Sequence, residues 1–111
     1  CCSGMNTKLG YAGESTVSLA YLAVVGFTKA VAVELGANVI TANIIAPGTF
    51  PANDVDIAKD AKFSALLKAN PSGRLGHAED IGGMVAYLCS DNGGFVNGQM
   101  LQINGGVVMQ F

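Results

Sequence analysis

The sequence predicts an α/β fold, namely the C-terminal part of a doubly wound parallel-sheet domain. Residues 1–3 are expected to be the end of one strand. An apolar helix (15–35) precedes a short strand (39–46), and a second helix (78–90) precedes a final strand (99–104). This alternation of helices and strands is typical of parallel sheets. The first strand is apolar without alternation, which indicates cover on both faces.

The composition is that of one globular domain. The chain has 111 residues, of which 50% are hydrophobic, so it has ample apolar surface for a core. The formal net charge is −2, and the six lysine and arginine residues form no basic stripe. A nucleic acid partner is therefore not expected, because phosphate binding needs clustered positive charge.

Cysteine usage and the apolar run predict a cytoplasmic protein outside the membrane. Cys1, Cys2 and Cys89 form neither a disulfide framework nor a metal knuckle, and we expect reduced thiols. The apolar run from Val17 to Phe27 is shorter than the roughly 20 residues of a bilayer span. The first residue is not Met, which suggests that the sequence begins inside a longer gene product.

The first helix follows a glycine-rich loop and is apolar on nearly every side. The loop (4–13) lacks the spacing of a phosphate-binding loop, so it either cradles a ligand or supplies turns with positive φ. Ser15 or Thr16 is the expected N-cap, and Gly36 ends the helix. A helix apolar all round is expected to be buried all round. We therefore predict a homo-oligomer through the helix Val17 to Leu35, with one face on the sheet and the other on a partner subunit.

The middle of the chain is predicted to be a sharp turn followed by a helical lobe. Pro47 and Gly48 end the strand, because proline lacks a backbone donor and glycine permits the turn. A lobe of one or two short helices is expected over 50–71. Its aspartates lack a defined ligand geometry and are interpreted as a solvated face, so no metal site is predicted. These residues are Asp54, Asp56 and Asp60.

The last helix begins with acidic residues that favour a helix N-terminus, Glu79 and Asp80. His77 lies just before them, and we expect a capping or solvated role for it. Two full strands are too few for a parallel sheet apolar on both faces. The missing strands are therefore expected to belong to an absent segment or to another chain.

Six motifs in this order resemble the C-terminal half of a short-chain dehydrogenase/reductase, most closely the 3-oxoacyl-carrier-protein reductase type. The motifs are Gly26-Phe27-Thr28-Lys29-Ala30, Asn43-Ile44-Ile45-Ala46-Pro47-Gly48, Gly73-Arg74-Leu75-Gly76, Glu79-Asp80-Ile81, Tyr87-Leu88-Cys89-Ser90, and Gly98-Gln99 through Asn104-Gly105-Gly106.

The resemblance implies a Rossmann-like fold and hydride transfer between NADP or NAD and a small carbonyl or alcohol substrate. In that family a tyrosine is the general acid, a lysine four residues later lowers its pKa, and an upstream serine orients the substrate oxygen. Alignment on Gly10, Gly13 and the Gly26 motif gives the positions of these three residues. The tyrosine falls at Val17, the lysine at Tyr21 and the serine at Gly4, with Ser3 one residue away. No catalytic residue is therefore predicted.

The resemblance also implies where a cofactor is held. Pro47 and Gly48 correspond to the strand end near the nicotinamide, and backbone groups of Thr49 and Phe50 would meet its carboxamide. Ala52 stands where the family often has threonine. The phosphate-binding loop belongs to the family's N-terminal half, so this chain alone is not expected to bind a dinucleotide.

Three hypotheses remain open. The chain is a fragment or relative of an NAD(P)-dependent carbonyl reductase or alcohol dehydrogenase that is inactive by itself. Alternatively, it is a non-catalytic oligomerising module derived from that fold. In the third hypothesis a separate chain supplies the nucleotide-binding half.

Overall fold

The computed structural model describes residues 12–52 and 56–109, which form an α/β fold. The loop 4–11, the adjoining Cys1, Cys2 and Ser3, and Asp54 lie outside the described residues, so the predictions made for them stay predictions. In chain order the helices and strands are α1 (Ser15–Leu35), β1 (Ile44–Pro47), α2 (Ala61–Ala69), α3 (Ala78–Leu88) and β2 (Met100–Ile103).

β1 and β2 are neighbours and run parallel. Ile44 lies opposite Met100, and Pro47 lies opposite Ile103. The connection between them contains α2 and α3, as parallel pairing requires. The parallel pair with its helical crossover confirms the α/β class. Ile44 and Ala46 on β1 are buried, and so are Ala32, Leu75 and the polar side chains of Thr28 and Asn70.

β1 begins later than the predicted strand 39–46. A 3-10 turn, Gly36–Asn38, follows α1, and Val39 adopts a left-handed conformation with φ 61°. The Ala42 N–H then donates to Asn97 Oδ1 at 2.9 Å, which is a side-chain bond in place of a ladder bond. Regular pairing therefore starts only at Ile44, whose N–H donates to the Gln99 carbonyl at 2.8 Å.

In the described part of the predicted lobe 50–71 there is one helix, α2. Asp60 is its N-cap, and its Oδ1 accepts from the N–H groups of Lys62 and Phe63 at 2.9 and 3.1 Å. Before it, Asp56 starts a turn in which Lys59 returns to pair with its carboxylate at 2.9 Å. α2 therefore begins only after its N-cap, Asp60. The other two elements are also shorter than expected: α3 ends at Leu88 and β2 spans Met100–Ile103.

α1 is largely exposed in this single chain, and its burial against a partner subunit stays a prediction. Only Thr28 and Ala32 of its 21 residues are buried. Leu19 and Phe27 are each 70% exposed, and Val33 is 84% exposed. The reason is size, because two strands of four residues present too little surface to cover a helix of this length.

The segment Ser15–Asn38 is long and apolar enough to cross a membrane by length and composition. A core helix of a soluble protein satisfies the same criterion, so this finding is weak evidence for a membrane span.

Candidate functional site

The turn after β1 packs tightly against the end of β2. The Gly48 N–H donates to the Ile103 carbonyl at 2.9 Å. A Cβ on Gly48 would lie 2.7 Å from Asn104 Cα, closer than side-chain carbons approach one another. Glycine is therefore required at this position by a close backbone approach. The contact fixes the direction in which the chain leaves β1 toward Thr49.

Thr49 and Phe50, two of the four predicted cofactor contacts, line a cavity of about 190 Å³. Within the described residues the Thr49 carbonyl accepts from Gly76 N–H at 3.0 Å, whereas no acceptor is found for the N–H groups of Thr49 and Phe50. Pro47 and Gly48 lie at the strand end beside the cavity. The other lining residues are Asn70, Ser72, Arg74, Leu75, Gly76, Asp80, Ile103, Asn104 and Gly105.

The Phe50 ring packs directly against Gly76, in space that a side chain on residue 76 would fill. A Cβ on Gly76 would overlap the Phe50 ring at Cε1, Cζ and Cδ1. The aromatic wall of the cavity and the loop before α3 are therefore in direct contact. The bond between Gly76 N–H and the Thr49 carbonyl holds the same two segments together.

Asn70 ties the loop after α2 to the end of β2. It is only 7% exposed. Its Oδ1 accepts from the N–H and the Oγ of Ser72 at 3.0 and 2.8 Å, and its Nδ2 donates to the Asn104 carbonyl at 3.4 Å. The Asn70 amide oxygen thus accepts two hydrogen bonds within the protein, and these bonds help to shape the cavity.

Arg74 and Asp80 form a bidentate ion pair at the cavity rim. Arg74 Nη1 and Nη2 donate to Asp80 Oδ2 and Oδ1, each at 2.7 Å. The His77 N–H also donates to Asp80 Oδ2 at 2.8 Å, so Asp80 caps α3. The bonds from Arg74, and next the one from His77, hold the pKa of Asp80 well below its usual range. The same pair raises the pKa of Arg74. Asp80 is therefore a permanent carboxylate near neutrality and no proton donor.

Val17 and Tyr21, the positions aligned with the family's catalytic tyrosine and lysine, lie on the N-terminal half of α1. Val17 is 39% exposed and has no ionisable group. Tyr21 is half-buried. Lys29 is eight residues beyond Tyr21, roughly 12 Å of helix rise, too far for direct contact along the helix. Neither Val17 nor Tyr21 lines the cavity.

The aspartates of the predicted lobe have structural roles where they are described. Asp56 pairs with Lys59, and Asp60 caps α2. Across 12–52 and 56–109, no group of three or more His, Cys, Asp or Glu side chains is arranged to hold a metal ion.

Sequence reasoning missed the residues that form the rest of the cavity. The link from Asn70 to the end of β2 carried no local signal, because its partner Asn104 is 34 residues away in the sequence. Arg74 and Asp80 belong to the motifs Gly73-Arg74-Leu75-Gly76 and Glu79-Asp80-Ile81. Asp80 lies three residues after the N-cap His77, and this spacing was a detectable signal for a capping box.

Comparison with known proteins gives a family match over most of the chain. Residues 1–108 match the family model described as enoyl-(acyl carrier protein) reductase. The 3-oxoacyl-[acyl-carrier-protein] reductase of Haemophilus influenzae is 38% identical over 100 residues, which is 90% of this chain and 41% of that protein. Nodulation protein G of Azospirillum brasilense is 41% identical over 108 residues, which is 97% of this chain and 44% of that protein.

Solved structures match the same portion of the fold. A blue fluorescent protein from a metagenomic library, in complex with NADPH, matches with a TM-score of 0.83 and 31% identity over 96% of this chain and 43% of that one. A putative 2-deoxy-D-gluconate 3-dehydrogenase from Agrobacterium tumefaciens, with bound NADP, matches with a TM-score of 0.82 and 33% identity over 96% of this chain and 44% of that one. The chain thus spans less than half the length of the relatives it matches.

Proposed function

Because this chain belongs to the short-chain dehydrogenase/reductase family, we propose that it is part of an NAD(P)-dependent carbonyl reductase or alcohol dehydrogenase of the 3-oxoacyl-carrier-protein reductase type. The family match over residues 1–108 carries this proposal. A small carbonyl or alcohol is the substrate of the whole assembly in this proposal, and NADP or NAD is its cofactor.

The residues after β1 fit a nicotinamide carboxamide. Thr49 and Phe50 line the cavity, and their N–H groups have no acceptor among the described residues. A carboxamide oxygen would satisfy such donors, and the Phe50 ring offers a flat apolar wall. Gly48 and Gly76 keep both groups in place through their close contacts with Asn104 and Phe50. When bound, the dinucleotide supplies the hydride for reduction of a carbonyl.

We propose that this chain alone is inactive. Val17 and Tyr21 stand at the positions aligned with the family's tyrosine and lysine, and a valine side chain cannot transfer a proton. The experiment is NADPH oxidation at 340 nm with an acetoacetyl thioester, using the intact Haemophilus influenzae reductase as the positive control. We expect no turnover by this chain. Steady oxidation would show that the alignment at Val17 and Tyr21 is wrong.

The alternative function is a non-catalytic oligomerising module. The exposed residues Leu19, Phe27 and Val33 of α1 favour it, because large apolar side chains on one helix are typical of an interface. The partner in this case is a second copy of the chain, packed helix against helix. Size-exclusion chromatography with light scattering tests this proposal. A dimer or larger assembly is expected, and a stable monomer at micromolar concentration would contradict it.

We also propose a cytoplasmic location, because a nicotinamide dinucleotide enzyme works where that cofactor is supplied. Cell fractionation with a tagged chain is the test. Recovery of the chain in a membrane pellet that resists carbonate washing would instead assign the segment Ser15–Asn38 to the bilayer.

A further inference from the structure

Three asparagines of this chain are each followed directly by a glycine. The pairs are Asn92-Gly93, Asn97-Gly98 and Asn104-Gly105. An asparagine in this context can lose its side-chain amide, because the glycine has no side chain to shield its backbone nitrogen from the asparagine Cγ. The three pairs are the same in sequence, so a difference in their reactivity in the folded chain comes from their surroundings.

The Asn97-Gly98 pair is held by hydrogen bonds at both reacting groups. Asn97 Nδ2 donates to the Ala32 carbonyl at 2.9 Å, and its Oδ1 accepts from the Ala42 N–H at 2.9 Å. The Gly98 N–H donates to the Ala42 carbonyl at 2.8 Å. Cyclisation at Asn97 therefore requires three hydrogen bonds between distant segments of the chain to open.

The Asn104-Gly105 pair is held at the side-chain amide only. Asn104 Nδ2 donates to Gln102 Oε1 at 3.1 Å and to the Val108 carbonyl at 2.8 Å. Its Oδ1 accepts from the Gly106 N–H at 2.9 Å. For the Gly105 N–H no acceptor is found in the part of the chain that the structure describes. The attacking nitrogen is therefore available, but three hydrogen bonds fix the orientation of the amide.

The Asn92-Gly93 pair is the least restrained of the three. Asn92 is exposed, and its side-chain amide has no hydrogen-bond partner among residues 12–52 and 56–109. The Gly93 N–H donates to the Ser90 carbonyl at 3.0 Å, within the 3-10 turn Asp91–Gly93 that follows α3. Opening this one bond inside a single turn frees both reacting groups.

We propose that Asn92 is a site of spontaneous deamidation in the folded chain and that Asn97 and Asn104 are protected by their hydrogen bonds. The Gly93 nitrogen loses its proton to hydroxide and attacks Asn92 Cγ. An N–Cγ bond forms, the Cγ–Nδ2 bond breaks, and Nδ2 takes a proton from water and leaves as ammonia.

The resulting succinimide ring is opened by water at either of its two carbonyl carbons. Cleavage of the bond between Gly93 N and Asn92 Cγ gives aspartate. Cleavage of the bond between Gly93 N and the Asn92 main-chain carbonyl carbon gives isoaspartate. Each path consumes one water molecule and releases one ammonia, and nothing is oxidised or reduced.

Both products disturb the contact between this turn and the end of α3. Gly93 is buried, and a Cβ on it would lie 2.5 Å from the Tyr87 carbonyl oxygen and 2.7 Å from Leu88 Cα. Isoaspartate lengthens the main chain before Gly93 by one carbon atom and so displaces it from this close contact. Aspartate adds a negative charge beside Asp91, just after the C-terminal end of α3, where the helix dipole disfavours it. Modification at Asn92 therefore loosens the end of α3.

The experiment is incubation of the purified chain in mildly alkaline buffer made with heavy-oxygen water, followed by peptide mass spectrometry at intervals. The water that opens the succinimide labels each newly formed acid and separates it from aspartate already present. Chymotrypsin cleaves after Phe95 and Leu101 and so places the three asparagines on different peptides. A parallel incubation in urea gives the rate at each pair without folded structure.

We expect Asn92 to convert at least about tenfold faster than Asn97 and Asn104 in the folded chain, because each of the latter has two more hydrogen bonds to open. In urea the three rates should be comparable. Conversion of Asn97 or Asn104 in the folded chain at a rate equal to or above that of Asn92 would overturn the proposal. A folded chain in which Asn92 does not convert, while the same pair converts in urea, would also overturn it.

A second measurement tests the consequence for α3, with N92Q as the matched control. N92Q keeps an amide at the exposed position, but its longer side chain does not readily form the same ring. Anion exchange separates the incubated chain into unmodified and acid-bearing fractions, and urea unfolding compares their midpoints. We expect a lower midpoint for the fraction modified at Asn92, and no such fraction from N92Q. An acid-bearing fraction of equal size from N92Q would overturn the proposed site, and equal midpoints would contradict the loosening of α3.

Discussion

Arg74 and Asp80 meet through two parallel N–H···O bonds of 2.7 Å, which join the cavity rim to the first turn of α3. Asp80 has a lowered pKa in the folded chain, so the folded state holds the charged form more strongly than the unfolded state does. Its stabilising contribution is present above the unfolded pKa of about 4 and is lost as the pH falls through the lower folded pKa.

We therefore predict that D80N lowers the urea midpoint at pH 7 and that the difference from the unaltered chain shrinks steadily below about pH 4. Urea unfolding at several pH values is the measurement. E79Q is the control, because it removes a charge from the same turn of α3 without a described partner. A loss of urea midpoint in D80N that is as large at pH 2.5 as at pH 7 would show that the lost contribution is not electrostatic.

Added salt is expected to reduce the difference in urea midpoint between D80N and the unaltered chain at pH 7, since the Arg74–Asp80 pair is partly exposed.

Gly76 and Gly82 are predicted to respond oppositely to alanine. A Cβ on Gly76 would overlap the Phe50 ring, whereas a Cβ on Gly82 would meet nothing within 4 Å. G76A should displace Phe50 and cost about 1–3 kcal/mol of unfolding free energy. G82A, inside α3, should add about 0.5–1 kcal/mol because alanine favours helix. Urea unfolding measures both, and a G76A variant at least as stable as the unaltered chain would contradict the Phe50 contact.

Local signals in the sequence were enough to predict much of the fold. The helix around Tyr21 follows from a mostly apolar run before a glycine, and the turn at Pro47 and Gly48 follows from the loss of a backbone donor and the freedom of glycine. The parallel class follows from two helices that alternate with two apolar strands.

Features that depend on distant partners were not predictable. The start of β1 is delayed because Asn97, 55 residues away, binds the Ala42 N–H. The cavity depends on Asn70, whose partner Asn104 comes from another element. The exposure of α1 depends on the size of the sheet, which no periodicity within the helix encodes. Val39 adopts a left-handed conformation, which β-branched residues rarely adopt, so residue propensity does not predict it.

Val39 is predicted to be a strained residue whose replacement stabilises the chain. Its φ of 61° lies in the left-handed region, and its N–H donates to the Gly36 carbonyl at 3.1 Å. Left-handed backbone costs a branched residue about 1–2 kcal/mol. V39G is expected to raise the unfolding free energy by about 1 kcal/mol, after the greater freedom of glycine in the unfolded chain is subtracted.

V33G is the control for Val39, because it changes a similarly exposed valine within α1 and should lower stability by about 0.5 kcal/mol. Both values come from urea unfolding followed by circular dichroism. Loss of stability in V39G comparable to that in V33G would mean that residue 39 does not hold the left-handed conformation in solution.

Asn97 is predicted to be the main polar link between α1, β1 and the loop before β2. Its Nδ2 donates to the Ala32 carbonyl at 2.9 Å, and its Oδ1 accepts from the Ala42 N–H at 2.9 Å. N97A leaves both partly buried backbone groups without this partner, so we expect a loss of about 1–3 kcal/mol. N97D keeps the acceptor for Ala42 but places a carboxylate oxygen against the Ala32 carbonyl, and it should be at least as destabilising at pH 7. N92A, on an exposed residue of the same connection, should change stability by less than about 0.5 kcal/mol.

Hydrogen exchange at the Ala42 amide distinguishes this link from a general loss of packing. Its protection should fall in N97A and persist in N97D, whose remaining carboxylate oxygen still accepts from Ala42. Unchanged Ala42 exchange in N97A would contradict the bond.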